Sequence, residues 1–315
     1  MAEITGYGHE GGTSLASAVQ LRDIQKKLRL RVLTPEDWRH WTTWGYVVIH
    51  DPVPAANIDR LNSLLWEFQE MDPFDPSTWS RRQLRDNQMA ELNNTGMVEV
   101  YNHQRLWDNR QHPRVYDAFV DIWDREDLWV TIDRANLNTP NLAGRKFTAF
   151  VHWDSDTTAV PLPINVQGVL ALNDSTPDVG GFQCVPELFR NFDRWISRQP
   201  QGRDPFHPDL TGFEVKFVPM MAGDLLIFNT LLAHGIKRNQ TKDRVRMAQY
   251  ISMYPAEEEN LQKRETRIRS WTEREHPSGY AFPGDPREWE KTRYRRAELS
   301  PLGRRLLGLD SWNQG

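Results

Sequence analysis

The chain has 315 residues, 38% of them hydrophobic and 26% charged, with 39 lysines and arginines against 43 aspartates and glutamates and a formal net charge of −4. That balance fits a soluble globular protein and, with no block of like charge, argues against nucleic acid and membranes as partners. One cysteine, Cys184, excludes an internal disulfide framework and fits a reducing, cytoplasmic compartment.

Residues 1–20 carry Gly6, Gly8, Gly11 and Gly12 among small polar side chains and are expected to be mobile. They hold no basic region followed by an apolar run, so no signal peptide is expected. Residues 21–315 are expected to form a single domain with a helical N-terminal part. Leu33-Thr-Pro-Glu-Asp37 predicts a helix start, with Thr34 as cap, Pro35 in the first turn and acids at the positive end of the dipole. Trp38, Trp41 and Trp44 recur every three residues and read as core, Gly45 ends the helix, and Tyr46–His50 reads as a strand closed by a structural or exposed His50. A second helix is predicted from Pro54 to Gln69, with Ile58, Leu61, Leu65 and Phe68 on one stripe. Residues 71–96 are irregular and long for a connection, which marks a lid or binding loop. Glu99–Trp107, rich in polar and aromatic side chains, reads equally as a pocket wall and as a surface loop.

A further helix is predicted from Pro113, with Val115, Phe119, Ile122 and Trp123 at helical spacing, and Leu128–Arg134 reads as a strand. From there to Tyr254 the pattern is of short strands: Lys146–Val151, Asn165–Leu172, Gly181–Val185, Phe213–Phe217, Asp224–Phe228 and Arg244–Met253. Repeated short strands with glycine and proline punctuation argue for a β-sandwich or barrel. Helices that precede strands, without alternating with them, argue against a doubly wound parallel sheet. Residues 187–212 read as an insertion between strands, with His207 a loop residue between prolines. The apolar run Leu225–Ala233 is interrupted by Asn229 and Thr230 and is too short to span a bilayer. Glu257–Glu275 is predicted as a solvated helix, and the tail, with Trp289, Leu299, Leu306, Leu307 and Trp312, as an extension that packs on the core.

The chemistry concentrates in Phe150-Val-His-Trp-Asp-Ser-Asp156. On an extended backbone, side chains two residues apart leave the same face, so His152 and Asp154 offer an imidazole and a carboxylate side by side. A third donor, His234, follows the apolar run that begins at Leu225 and precedes Gly235. Two histidines and one carboxylate make the facial triad of non-haem Fe(II) oxygenases, which leaves metal positions open for a co-substrate and O2. Arg246 follows His234 by 12 residues, in Asp243-Arg-Val-Arg-Met-Ala248. Arg244 shares its face by period two, so periodicity does not separate the two arginines. Asp156 is a fallback carboxylate, whereas His103 and His112 lack a carboxylate at ligand spacing.

From Leu33 to Tyr254 the chain resembles the phytanoyl-CoA dioxygenase family. The resemblance rests on His152-Trp-Asp154, on Val169-Leu-Ala-Leu-Asn-Asp174 followed by Gly180-Gly-Phe-Gln-Cys-Val-Pro186, on Ala222-Gly-Asp224 through His234-Gly235, and on Arg246-Met-Ala248. Two departures stand out: Pro186-Glu-Leu-Phe189 replaces the family's Pro-Gly-Ser-His, and His234 to Arg246 is about one residue longer than the family's spacing.

The resemblance implies a mainly β fold with flanking helices around a double-stranded β-helix (jelly-roll, cupin-like) core. It implies a dioxygenase using Fe(II), 2-oxoglutarate and O2, with Fe(II) on His152, Asp154 and His234. It favours Arg246 as the anchor of the co-substrate's distal carboxylate, and it matches Gln183 to a position that touches the co-substrate in some relatives; a cross-strand hydrogen bond is the plainer role for Gln183. Family halogenases lack the carboxylate, so Asp154 favours hydroxylation, desaturation or ring formation. The expected substrate is a small, partly apolar metabolite. An acyl-CoA hydroxylase, a non-catalytic metal- or ligand-binding β-barrel protein, and a Zn or Mn metalloenzyme are the alternatives.

Overall fold

Thr34 opens the first helix, α1 (Pro35–Trp44), in a reciprocal cap. Its hydroxyl accepts the Asp37 N–H at 3.1 Å, while the Asp37 carboxylate accepts the Thr34 N–H at 2.8 Å. Gly45 closes the helix at φ 80°, the left-handed conformation glycine adopts without strain. Of the tryptophan stripe, Trp41 is fully buried and Trp38 packs half-buried on the core. Trp44 instead lies beneath the cations of Arg190 and Lys216. The computed structural model describes residues 21, 22, 24–79, 89, 92, 95–140, 150–278 and 282–313. The expected mobile segment 1–20 and the predicted strand residues 146–149 lie outside the described residues.

The fold is mainly β with flanking helices. In chain order the strands are β1 (Tyr46–Ile49), β2 (Met97–Val98), β3 (Leu128–Val130), β4 (Ala135–Asn138), β5 (Val166–Ala171) and β6 (Gly181–Cys184). β7 (Lys216–Phe217), β8 (Leu225–Asn229), β9 (His234–Lys237), β10 (Arg246–Tyr250) and β11 (Met253–Pro255) follow. Among the described residues, six strands form one antiparallel sheet in the order β1-β8-β5-β10-β4-β2, and three form a second in the order β7-β6-β9. β11 pairs with β3.

Strand alternation divides the core in two. Val47, Val166, Leu170, Leu225, Ile227 and Met247 face the helical side, against α2 (Ala55–Gln69) with Ile58, Leu61, Leu65 and Phe68. Val169, Ala171, Leu226, Phe228 and Ala248 face the opposite way, toward Phe182 and Cys184 of the smaller sheet. A sheet buried on both faces explains why Leu225–Phe228 is apolar throughout, with no alternation. The inner cluster, between the two sheets, is where the polar residues of interest converge.

Several expectations change in detail. Arg244–Met253 is not one strand: β10 starts at Arg246 and the chain breaks before β11. Part of Glu99–Trp107 is helical, in a helix at Gln104–Arg110 capped by His103, and the insertion after β6 begins with two short helices, Pro186–Arg190 and Phe192–Ile196. The helix expected to be solvated, Leu261–Glu273, buries Arg267 and Ser270. Arg267 donates to the carbonyls of Leu306 and Leu307 and to the Tyr254 hydroxyl. Those carbonyls end the helix Pro301–Leu307, where the last turn lacks internal donors. Leu306 and Leu307 share the cluster of Trp129 and Val130. Among the described residues no helix is long and apolar enough to cross a membrane.

Candidate metal centre

His152 reaches its place by a single antiparallel bridge to His234, the first residue of β9. Its N–H donates to the His234 carbonyl at 2.8 Å, and the His234 N–H returns the bond at 2.9 Å. Gly235 permits this approach: a Cβ there would lie 2.2 Å from the Phe150 carbonyl oxygen. Trp153, turned to the other side by alternation, donates its indole N–H to the Leu231 carbonyl at 2.8 Å and packs on Phe192 and Trp195. The two segments bearing the histidines are thus tied twice. Gly235→Ala is expected to push them apart and weaken divalent-metal affinity by about tenfold, the scale of a lost supporting contact. Calorimetric titration with Mn(II) checks this, and an unchanged affinity would show that the close approach is dispensable.

The three side chains converge. His152 Nε2 is 3.0 Å from Asp154 Oδ1, and His234 Nε2 is 3.3 Å from Asp154 Oδ2. One donor atom from each lies within 4.8 Å of the other two, the one such group of three found among the described residues. His234 Nδ1 is 3.0 Å from the Leu232 carbonyl. A carbonyl only accepts, so Nδ1 carries a proton, and Nε2 is the ring atom turned toward Asp154 and placed to face a metal. Phe182 stacks on the His234 ring and Phe228 packs at 4.6 Å between centroids, so the site has dry aromatic walls on one side. Two imidazoles and a carboxylate in this proximity are a donor set that fits Fe(II).

Asp156 is spent elsewhere. It accepts the Thr158 N–H at 2.7 Å, and its bonds to Thr158 hold its carboxyl below the usual range. His50 pairs with Asp224, and His207 with Asp204.

On β10, Arg246 shares the inward face of Ala248 and Tyr250 and is 6% exposed. Its Nη1 donates to Asn138 Oδ1 at a long 3.3 Å, from the directly opposed position on β4. Asn138 also accepts from Asn136, which donates in turn to the Tyr250 hydroxyl, so a short polar wall lines this face. Arg244 lies before the strand, half-exposed, and pairs with Asp178. Gln183 sits between Phe182 and Cys184, both of which face the inner cluster; alternation turns Gln183 away from His234, and its backbone pairs across to Gly235 and Phe217.

One residue at the centre escaped the sequence reading. Gln167 of β5 donates its amide to Asp154 Oδ2 at 2.6 Å. The available signal was a polar residue in an apolar run, Val166-Gln-Gly-Val-Leu-Ala171, at the same parity as the inward Val169 and Ala171.

Comparison with known proteins adds the following. The family described as phytanoyl-CoA dioxygenase (PhyH) matches residues 41–248. Ava biosynthesis cluster protein O of Aspergillus versicolor is 24% identical over 270 residues, covering 77% of this chain and 86% of that protein. Among solved structures, GlcNAc Inducible Gene 2 from Candida albicans is similar in fold, with a TM-score of 0.62 at 14% identity over 87% of this chain and 76% of that one. HygX from Streptomyces hygroscopicus, solved with nickel and 2-oxoglutarate bound, has a TM-score of 0.48 at 16% identity over 72% of this chain and 89% of its own.

Proposed function

The chain belongs to the phytanoyl-CoA dioxygenase family and is a non-haem iron, 2-oxoglutarate-dependent dioxygenase, and on that premise we propose that it oxidises a small, partly apolar metabolite at a C–H bond. The outcome is hydroxylation, or desaturation or cyclisation by the same hydrogen abstraction. The observation that carries the reading is the convergence of His152, Asp154 and His234 within 4.8 Å.

In this reading those three residues hold Fe(II). When bound, the metal supplies, with 2-oxoglutarate and O2, the oxidising chemistry that releases succinate and CO2. Arg246 holds the distal carboxylate of 2-oxoglutarate: a buried guanidinium with one long side-chain bond has donors to spare for a carboxylate fork. Phe182 and Phe228 keep water from one side of the centre. Phe150, 49% exposed and 4.9 Å from the His152 ring between centroids, forms an apolar lip, while Tyr250 and Asn136 offer polar contacts, which together suit a partly apolar substrate. The larger and smaller sheets are read as the two faces of a double-stranded β-helix, supported by Phe182 packing on Phe228 across the inner cluster. Residues 21–315 are read as one catalytic domain, supported by the tail's share in the main core, and as cytoplasmic.

The test is Fe(II)-dependent conversion of 2-oxoglutarate to succinate with a metabolite extract, followed by mass spectrometry. Expected is a product heavier by one oxygen or lighter by two hydrogens. Metal binding without any succinate would favour a non-catalytic binding protein, and turnover supported by Zn(II) without 2-oxoglutarate would favour another metalloenzyme.

A further inference from the structure

The segment that carries His152 and Asp154 is bound to a sheet along one edge. His152 exchanges both backbone bonds with His234, so by alternation the Trp153 N–H faces away from β9. It donates at 2.8 Å to the Phe206 carbonyl, in the insertion that follows β6. Thr157, 1% exposed, makes two bonds to the preceding carbonyl, that of Pro205: its hydroxyl donates at 2.6 Å and its N–H at 3.3 Å. The loop 203–206 thus takes the place of a neighbouring strand along the other edge.

Arg203 joins the two ends of this contact. Its Nη2 donates to the Thr157 carbonyl at 2.7 Å, and its Nη1 to the Asp204 carbonyl at 3.0 Å. Its guanidinium lies 5.3 Å over the Trp195 ring centroid and 6.0 Å over that of Trp153. A planar guanidinium stacks and donates at once, a combination that an ammonium reproduces only in part. Trp153 stands between the two ligand residues, and its indole is tied to the Leu231 carbonyl. Asp154 therefore lies in a short span, 153–157, that Arg203 touches at both ends. Resting on the metal-site reading above, we propose that Arg203 is a positioning residue: by fixing that span it sets where Asp154 stands against His152 and His234. The sign of its effect separates this role from one of charge. Removing a cation near the centre favours a bound divalent ion if charge is all that matters. Removing a support of the ligand weakens the ion's binding by about ten- to a hundredfold.

The experiment is calorimetric titration of the full chain with Mn(II), with the paramagnetic resonance spectrum of the bound ion as a second readout. Arg203→Ala is expected to weaken Mn(II) binding by about tenfold or more and to change the spectrum of the ion that binds. The melting midpoint of the metal-free chain should fall by no more than about 4 °C, the scale of one partly exposed contact. Arg203→Lys should recover part of the affinity through a single bond to the Thr157 carbonyl. Thr157→Val keeps the shape, loses the hydroxyl bond to Pro205, and should weaken binding in the same direction. Arg198→Ala, exposed on the same insertion, is the control and should bind as the unaltered protein does. A folded Arg203→Ala that binds Mn(II) as tightly as the unaltered protein, or more tightly, overturns the inference and leaves the metal site standing. Equal weakening in Arg198→Ala also overturns it, since the effect would then belong to the insertion at large. If Arg203→Ala does not fold, Arg203→Lys and Thr157→Val decide, and unaltered affinity in both counts against the inference. Absence of Mn(II) binding by the unaltered protein overturns the metal-site reading as well.

Discussion

Asp154→Gly is expected to abolish succinate formation and to weaken Fe(II) binding by at least about a hundredfold, above the range seen when only a supporting contact is lost. The argument is one of charge and of geometry. An imidazole supplies no negative charge, so Asp154 is the one anionic donor of the group. Its side chain is 8% exposed, where a divalent cation facing two imidazoles alone would be poorly compensated. Removing it also strands three partners at once: the Nε2 atoms of His152 and His234 lose their bridge, and the Gln167 amide loses its acceptor. Asp156→Ala is the control and should leave turnover near normal, since that carboxylate is engaged with Thr158 in its own turn. Metal titration and succinate release, measured together, check both. Near-normal turnover in Asp154→Gly would mean that another carboxylate is the ligand, and the whole centre would have to be reassigned.

The centre was legible in the sequence because its signals are local. Period two places His152 and Asp154 on one face, and a glycine after His234 marks a close backbone approach, here with Phe150. What was not legible depends on where strands begin and which way they face. Arg244 and Arg246 share a face only if one strand holds both, and β10 starts at Arg246. Gln183 was matched by its position in a motif, whereas the buried Phe182 and Cys184 on either side set its direction. Gln167 drew no reading, because its partner, Asp154, lies 13 residues away across a loop. The helix Leu261–Glu273 looked solvated because six of its 13 residues are charged; Arg267 is buried among carbonyls that only the fold supplies.

Arg246→Ala is expected to raise the apparent 2-oxoglutarate requirement by about ten- to a hundredfold. The distal carboxylate would enter a space whose walls are largely apolar, where an unpaired anion is costly. A hydrogen bond to a charged group contributes about 1.5–3 kcal/mol, and about 1.4 kcal/mol corresponds to a factor of ten. Arg246 suits the task by burial and by geometry: it is 6% exposed, and its one side-chain bond, to Asn138 at 3.3 Å, is long enough to yield. Arg246→Lys should restore only part of the loss, because one ammonium cannot reproduce two parallel bonds. Arg244→Ala should be mild. Its guanidinium is half-exposed and paired with Asp178, and exposed ion pairs contribute about 0.2–1 kcal/mol. Metal affinity should hold in all three variants, since neither arginine is among the three converging donors. The 2-oxoglutarate dependence of succinate formation, measured for each variant, decides. A crippled Arg244→Ala beside a healthy Arg246→Ala would place the anchor two residues earlier and would require the chain before β10 to turn inward, against the pairing of Arg244 with Asp178.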